Sequence, residues 1–162
     1  MNRPNSSRFF PLAPMSRGYR ILTVGVFLLP IPLLFIPMLW PTGLLMLAIF
    51  GGVYVLLRPT GFEVAPGHLR IVFPWRSKEV SRINQVEAID RGELRRRFGG
   101  LVRVGAGGLW GAFGYLWSPR AVVETYISRG EGLLLLERPG GKPLLLSPAD
   151  PAGMAQALQA GG

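Results

Sequence analysis

The residues best suited to bind a ligand are concentrated between positions 91 and 117. The basic members of this stretch are Arg91, Arg95, Arg96, Arg97 and Arg103. Each basic residue beside an anionic leaflet contributes about 1 kcal/mol, so five together can orient a domain by a few kcal/mol. Glu93 and Asp90 offset part of the charge. The cluster therefore indicates either contact with anionic lipid headgroups or a solvated turn without a ligand.

Large apolar side chains follow the arginines in a glycine-rich segment. They are Leu109, Trp110, Phe113, Tyr115, Leu116 and Trp117. Loops that remain in water seldom expose such a cluster. Two interpretations stay open. The side chains fold back onto the domain or a partner, or they lie in a membrane interface, where Trp and Tyr are enriched.

The glycines of residues 99–114 also resemble a phosphate-binding loop. In this segment Gly105 and Gly107 are followed by Trp110 where a third glycine is needed, and no Lys-Ser/Thr pair follows. Nucleotide loops place converging backbone amides at the start of a helix, and no helix is expected here. We therefore predict a long connection between strands, with no nucleotide or other cofactor.

The sequence offers little for acid–base, nucleophilic or metal chemistry. The five acids that fall singly on candidate strands are Glu63, Glu79, Glu87, Glu124 and Glu137. Ser128 and Ser147 have only His68 as a candidate base, and nothing in the sequence brings the three together. The chain has no cysteine and one histidine. We therefore predict no catalytic residues, no metal site and no enzymatic activity.

The distribution of charge identifies the element that must position these residues. The formal net charge is +9, yet no residue between Ile21 and Leu57 is charged. Residues 1–58 contain five arginines and no acid, so over half of the excess charge flanks this apolar segment. That placement favours membrane topology over nucleic acid as the reason for the basic composition.

Residues 21–57 are predicted to form a transmembrane helical hairpin. Residues 21–40 match the ~20 apolar residues that cross a bilayer, and Pro30, Pro32 and Pro37 predict a bent helix. Residues 43–57 give a shorter second span after a turn at 40–43. The turn is uncharged and both outer flanks carry arginines, so both termini are predicted to be cytoplasmic, at the inner or plasma membrane.

An apolar segment of this kind has two alternatives to a spanning hairpin. A cleaved secretory signal has an apolar core of only 7–15 residues and a small-residue cleavage site, neither of which fits. A proline-broken re-entrant hairpin keeps the same topology and changes only its depth. Residues 1–20 are predicted to be a flexible lead-in, although Phe9 and Phe10 also suit a membrane interface.

From Arg58 onward the pattern predicts short strands and one final helix. The candidate strands are residues 62–64, 69–73, 77–81, 86–90, 121–128, 133–137 and 143–147. Residues 138–142 (RPGGK) predict a hairpin turn, and Asp150 with Pro151 predicts a helix start. The expected fold class is α+β, with a seven-stranded partly open β-barrel capped by a C-terminal helix over residues 60–160.

Three stretches carry a family likeness: residues 65–74, 94–117 and 143–158. In the last, a strand runs through Ser147, Pro148 and Asp150 into a helix. This order resembles the bacterial pleckstrin-homology-like (PH-like) domain families, often found behind membrane helices, which similarly end their last strand on a Ser/Pro-Asp-Pro step. The resemblance implies a barrel with a C-terminal helix and supplies no catalytic residues.

Three functions are compatible with these features. The preferred one is a membrane-anchored binding or scaffold module on the cytoplasmic face, which binds a protein partner or self-associates. The second is a peripheral sensor of anionic lipid headgroups, with contacts through Arg95–Arg97 and the 110–117 segment. The third is an accessory subunit of a larger membrane complex.

Overall fold

The computed structural model describes residues 7–65, 68–100, 102–107 and 111–160, with the side chains of 103–107 left aside. The helices are α1 (Arg17–Leu28), α2 (Ile31–Leu34), α3 (Trp40–Leu57), α4 (Arg91–Phe98) and α5 (Pro151–Gln159). The strands are β1 (Arg8–Pro11), β2 (Gly61–Ala65), β3 (His68–Val72), β4 (Ser77–Ser81), β5 (Gln85–Ile89), β6 (Val102–Gly107), β7 (Ala112–Trp117), β8 (Val122–Ile127), β9 (Leu133–Glu137) and β10 (Leu144–Leu146).

Residues 17–57 form the apolar hairpin, but its helices and its turn begin and end at residues other than the predicted ones. The first arm is interrupted at Leu29–Pro30, as the prolines predicted, and continues as the single-turn helix α2. The turn lies at residues 35–39, and Trp40 already belongs to α3. The predicted turn at 40–43 is therefore wrong, because Pro41 is tolerated in the first turn of a helix, where its missing N–H is not needed.

Two helical stretches of this hairpin are long and apolar enough to cross a membrane. Arg17–Leu34 and Trp40–Leu57 each have 18 residues, with mean hydropathies of 1.3 and 1.8. Only 17% and 6% of their residues are buried. An interior helix of a soluble domain would be buried on at least one face, so these helices leave unusually large apolar surfaces uncovered.

The arms of the hairpin pack on each other through small and aromatic residues. Gly43 lies where a Cβ would approach the Pro30 carbonyl oxygen to 3.1 Å and the Leu34 Cδ2 to 2.8 Å. Phe27 and Phe50 meet edge to face at 6.0 Å between ring centroids. Both rings are partly buried and also pack against the apolar core of the following domain.

The strands form two sheets, and the α+β class is confirmed. The first sheet has the order β1-β2-β3-β4, and the second has the order β5-β9-β10-β8-β7-β6. Neighbouring strands are antiparallel except for β10 and β8, which are parallel. All seven predicted strands are present within one or two residues. Among the described residues the sheets do not close into a barrel. The consecutive strands β4 and β5 are edge strands of different sheets and do not pair with each other.

Three further elements correct the sequence predictions. Residues 8–11 were predicted to be flexible, but they pair with β2 as β1, because burial of Phe10 in the core fixes them. The predicted connection within 99–114 instead contains β6 and the start of β7, which pair as antiparallel strands with Gly105 opposite Gly114.

The third correction concerns the basic run, which lies on α4 rather than in a turn. Asp90 accepts a hydrogen bond from the Glu93 amide at 2.7 Å and caps the helix. Leu94 and Phe98, four residues apart, are both buried against the second sheet. The apolar i, i+4 pair therefore fixes the helix and leaves the arginines on its outer surface.

Strands β8, β9 and β10 at the centre of the second sheet are buried on both faces, which accounts for the leucine runs of β9 and β10. Leu134, Leu136, Leu144 and Leu146 face the first sheet and α5. The intervening leucines, at 133, 135 and 145, face α4. A strand that is covered on only one side alternates apolar with polar residues, whereas a doubly covered strand is continuously apolar. Each buried leucine contributes about 1.5–3 kcal/mol.

The C-terminal helix begins where the sequence predicted. The Asp150 carboxylate accepts a hydrogen bond from the Gly153 amide at 3.0 Å, and Pro151 occupies the first turn. Met154 and Leu158 are buried between the two sheets. The helix therefore covers one end of the core.

Candidate functional site

The structure separates the arginines that the sequence grouped together. Arg97 forms ion pairs at 2.6 Å with both Glu87 on β5 and Glu137 on β9. These contacts hold α4 on the sheet, so Arg97 is engaged within the fold. Arg95 and Arg96 are exposed on the same helix and form no ion pair with any described residue.

Arg91 differs from the other three because it lies beside the apolar hairpin. It lines a cavity of about 590 Å³, which we call the hairpin-base cavity. The cavity is also lined by Ser16, Gly18, Leu22, Arg129, Gly130 and Glu131. The start of α1 and the start of α4 thus meet at one site, although 74 positions separate Arg17 from Arg91.

The predicted apolar contact residues also divide into different environments. Phe113 is 3% exposed and belongs to the core between the sheets, so it folds back onto the domain. Tyr115 and Trp117 are 41% and 51% exposed on the same strand. Arg103 lies on β6, with its side chain outside the described part, and Leu109 and Trp110 lie outside the described residues.

Buried hydrogen bonds attach the start of α1 to the second sheet. The Ser128 hydroxyl donates to the Ala13 carbonyl at 2.5 Å, and the Ser128 amide donates to the Ser147 hydroxyl at 2.8 Å. The Ser16 amide in turn donates to the Ser128 carbonyl at 3.2 Å. Ser128 and Ser147 are fully buried, and their hydrogen bonds form this junction. The junction fixes the first turn of the hairpin against the segment that carries Arg129.

Arg129 and Arg91 both line the hairpin-base cavity, together with Gly130. Nη2 of Arg129 donates to the carbonyls of Pro148 at 3.0 Å and Ala149 at 3.4 Å, while its buried Nε has no hydrogen-bond partner in the described chain. A Cβ at Gly130 would collide with the Arg91 guanidinium, which therefore lies directly over this glycine. No carboxylate of the described residues pairs with either arginine.

A second cavity of about 740 Å³ lies between the sheets, and we call it the inter-sheet cleft. Its principal lining residues are Phe73, Arg76, Lys78, Tyr115, Glu124 and Tyr126. Aromatic rings and cations alternate in this region. The Arg76 guanidinium lies 4.9 Å from the Phe73 ring centroid, and the Lys142 ammonium lies 4.5 Å from that of Tyr115. Leu57, the last residue of α3, reaches the same cleft.

The floor of the inter-sheet cleft is a buried carboxylate with three partners. Glu124 on β8 pairs with Lys78 on β4 and, at 3.3 Å, with Arg138 in the β9–β10 turn. The Tyr126 hydroxyl donates to the same carboxylate at 2.7 Å. Because Lys78 and Glu124 belong to different sheets, this ion pair joins the sheets at the point where no backbone ladder connects them.

The surroundings of Glu124 determine the ionisation of both titratable groups. Burial on its own would raise the pKa of the Glu124 carboxyl, but the hydrogen bonds from Lys78 and Tyr126 outweigh it, and with the charge of Arg138 they lower the pKa below its ordinary value. Burial, followed by the hydrogen bond to Glu124, raises the pKa of the Tyr126 hydroxyl well above its ordinary value. Glu124 is therefore anionic and Tyr126 neutral at physiological pH.

Sequence reasoning missed Arg129, Lys78 and the role of Glu124. Glu124 stood alone in an apolar strand, and a lone acid in such a strand implies a buried partner from elsewhere in the chain. That signal predicts a partner without naming it, because Lys78 is 46 positions away. Arg129 gave no local signal, since its environment depends on how residues 12–16 pack against β8.

Within the described residues, no three His, Asp or Glu side chains are grouped as a metal site. Comparison of the chain with protein-family models, with curated proteins and with solved structures found no match. The two cavities are therefore interpreted from their own geometry.

Proposed function

We propose that this protein is a membrane-anchored, non-catalytic binding module, with the hairpin of residues 17–57 in the bilayer. The observation that carries the proposal is the uncovered apolar surface of the hairpin. At ~1.5 Å per residue the continuous 18-residue helix α3 spans about 27 Å, close to the ~30 Å hydrocarbon core. Arg17, Arg20 and Arg58 lie at the two ends of the hairpin that join the rest of the chain, while the tip at 35–39 is uncharged, which supports cytoplasmic termini.

Single cysteines test this topology, because the natural chain has none. We expect Met38→Cys, at the exposed tip, to react with a membrane-impermeant maleimide in intact cells. Ser7→Cys and Ser81→Cys should react only after permeabilisation. If the Ser7 and Ser81 variants are labelled in intact cells, the chain has the opposite orientation to the one proposed. A Met38 variant that reacts from neither side would indicate a re-entrant hairpin, and release of the chain by alkaline carbonate would exclude anchoring.

We further propose that residues 60–160 are a variant of the PH-like domain. The capped helix α5 after the last strand supports this assignment, as does the β6–β7 hairpin within the stretch that carries the likeness. The nine strands β2–β10 of this range and the parallel β8–β10 pair differ from the seven-stranded barrel that the resemblance implies. An experimental structure tests the assignment, and strand connections unlike those of a PH-like barrel would refute it.

The inter-sheet cleft is the proposed site for a protein partner. Strand β4 is at the edge of its sheet, so one side of its backbone has no strand partner among the described residues. The bond from the Phe73 amide to the Arg76 carbonyl sets the alternation of the ladder, so Ser77, Glu79 and Ser81 direct their peptide groups away from β3. An extended segment of a partner can pair with this edge and place side chains in the aromatic cleft.

Site-specific crosslinking tests the proposed partner edge in intact membranes. A photoreactive residue at Ser77 should give a discrete adduct, whereas the same residue at exposed Arg95 should give none. Glu79→Pro should abolish the Ser77 adduct, because it removes an outward N–H that a paired strand needs. Self-association would appear as an adduct of twice the monomer mass. Equal products from Ser77 and Arg95, or an adduct that survives Glu79→Pro, would refute the site.

The non-catalytic assignment is supported by how the described carboxylates are used. Glu63 and Glu79 pair with Arg70, Glu87 and Glu137 pair with Arg97, and Glu124 pairs with Lys78 and Arg138. A carboxylate held in an ion pair is not free to exchange a proton with a ligand, and the lowered pKa of Glu124 also makes it a poor general acid or base near neutral pH. The expected ligand is therefore bound and released without chemical change.

A further inference from the structure

The hairpin-base cavity combines positive charge with an opening onto apolar helix surface. Its arginines come from two separate elements, α4 and the β8–β9 connection. No described carboxylate forms an ion pair with either arginine, and the acceptors of Arg129 are two backbone carbonyls. Two cations that the chain does not pair attract an anion to the cavity.

The backbone of α1 adds to the attraction for an anion. Ser16 begins the helix without a side-chain cap, and Gly18 leaves open space above the first turn. The first amides of a helix lack acceptors within the helix, and the helix dipole places partial positive charge at this end. Phosphate groups bind at such positions when basic side chains are also present.

The other side of the cavity is apolar and continues into the hairpin. Leu22 lines the cavity, and Ile21 and Val24 beside it on α1 are 73% and 52% exposed. A free anion makes no favourable contact with this apolar surface, whereas a phospholipid carries a phosphate and acyl chains in one molecule and can contact both parts of the site. A volume of about 590 Å³ is within the usual range for small-ligand sites.

We propose that the hairpin-base cavity binds the phosphate of an anionic phospholipid, with Arg91, Arg129 and the first turn of α1 as its ligands and Leu22 beside the acyl chains. This inference rests on the proposed membrane anchoring, and it assigns lipid recognition to residues other than Arg95–Arg97. Glu131 lines the same cavity and opposes anion binding, so the three charged side chains leave a net charge of one positive unit. Removal of the arginines should therefore weaken binding, whereas neutralisation of Glu131 should strengthen it.

The test measures binding of short-chain lipids to the full-length chain in non-ionic detergent by calorimetry. We expect dihexanoyl phosphatidylglycerol to bind at least about tenfold more tightly than dihexanoyl phosphatidylcholine or inorganic phosphate. Arg91→Gln with Arg129→Gln should weaken binding by at least about tenfold. The matched pair Arg95→Gln with Arg96→Gln removes the same charge from the same helix region and should change binding less than about twofold.

Two single substitutions separate position from net charge. Gly130→Ala should displace the Arg91 guanidinium and weaken binding by about threefold or more with no change of charge, because a Cβ there collides with that group. Glu131→Gln should strengthen binding by about twofold to fivefold. Arg129→Gln also loses two hydrogen bonds, so thermal melting of every variant is recorded, and Arg91→Gln and Gly130→Ala decide the outcome if that variant is unstable.

Three results would overturn the proposal. They are equal losses in the Arg91/Arg129 and Arg95/Arg96 pairs, equal affinity for the two lipids, and tighter binding of inorganic phosphate than of the anionic lipid, which would assign the site to a free anion. Alkaline extraction of membranes that contain the same variants distinguishes the two levels of inference. A chain that resists extraction but binds lipid indifferently refutes only the site, whereas an extracted chain refutes the anchor.

Discussion

The inter-sheet cleft and the hairpin-base cavity both contain basic side chains, but these side chains differ in whether a carboxylate of the chain pairs with them. In the cleft, Lys78 and Arg138 share the carboxylate of Glu124, which also accepts a hydrogen bond from Tyr126. In the cavity, Arg91 and Arg129 meet no carboxylate of the described residues at pairing distance. The two sites differ in whether the chain supplies its own counter-charge.

This difference separates charges that stabilise the fold from charges available for binding. A buried carboxylate with three partners depends on each of them, because removal of one partner leaves another group unpaired in a poorly solvated place. An arginine without an acidic partner contributes little to stability, so its replacement affects mainly what it binds. Replacement of Glu124 in the cleft should therefore lower the free energy of unfolding, and replacement of Arg91 in the cavity should mainly lower affinity.

The largest expected effect follows replacement of Glu124. Glu124→Gln preserves the shape of the side chain but removes the charge that Lys78 and Arg138 share. We expect the free energy of unfolding to fall by about 2–4 kcal/mol, below the upper values for buried pairs because Lys78 is 42% exposed. Denaturation of the full-length chain in detergent, followed by circular dichroism, measures the change.

Arg91→Gln is the matched control for that experiment, since it removes one charge from the hairpin-base cavity. Its free energy of unfolding should stay within about 0.5 kcal/mol of the natural chain in lipid-free detergent. A loss at Arg91 as large as that at Glu124 would show that both sites are structural, and the contrast between them would fail.

Acidification should weaken the cleft through the same carboxylate. The pKa of Glu124 is lowered on folding, so the unfolded chain binds its proton first as the pH falls. The stabilising contribution is therefore complete above the ordinary carboxyl pKa of 4.5 and is lost as the pH falls below it toward the folded value. The difference in melting temperature between the natural chain and Glu124→Gln should shrink from pH 6 toward pH 3. A difference that is constant across this range would contradict the assignment.

Removal of the Tyr126 hydroxyl should have a smaller effect than loss of the carboxylate. Tyr126→Phe loses one hydrogen bond to Glu124 and should cost about 1–1.5 kcal/mol at neutral pH. The pKa of Tyr126 is raised on folding, so its contribution is present below the ordinary value of 10.0 and is lost as the pH rises above it. Melting at pH 8 and pH 11 should show a smaller alkaline loss in Tyr126→Phe than in the natural chain, and equal losses would be evidence against this linkage.

The sequence predicted well those elements whose signals are local. Asp150 and Pro151 mark the start of α5, the RPGGK turn marks the β9–β10 hairpin, and the uncharged stretch marks the hairpin. Strand β1 was missed because its stability comes from Phe10 in a core built by residues over 50 positions away. Helix α4 was missed because three consecutive arginines concealed the buried pair Leu94 and Phe98.

The candidate sites were harder to predict because they depend on long-range packing. Of the predicted contact residues, Arg91 lines the hairpin-base cavity, while Phe113 and Tyr115 line the inter-sheet cleft. The two sites also contain Glu124, which lies in β8, and Arg129, which follows that strand. In the sheet, β10 lies between β8 and β9, an order that the local sequence does not predict. The sequence shows which residues are charged or apolar, but the fold determines which of the charged residues form ion pairs.

Arg97 provides the smallest expected effect and the finest test of the comparison. It has two carboxylate partners, as Glu124 has two cationic ones, yet Arg97, Glu87 and Glu137 are all about one-third exposed or more. Water and salt screen such pairs, so Arg97→Gln should lower the free energy of unfolding by only about 0.5–1 kcal/mol, and this loss should diminish at 1 M salt. Arg95→Gln on the same helix is the control and should be neutral. A salt-insensitive loss at Arg97 comparable to that at Glu124 would show that the number of partners, rather than burial, decides which charges hold this fold together.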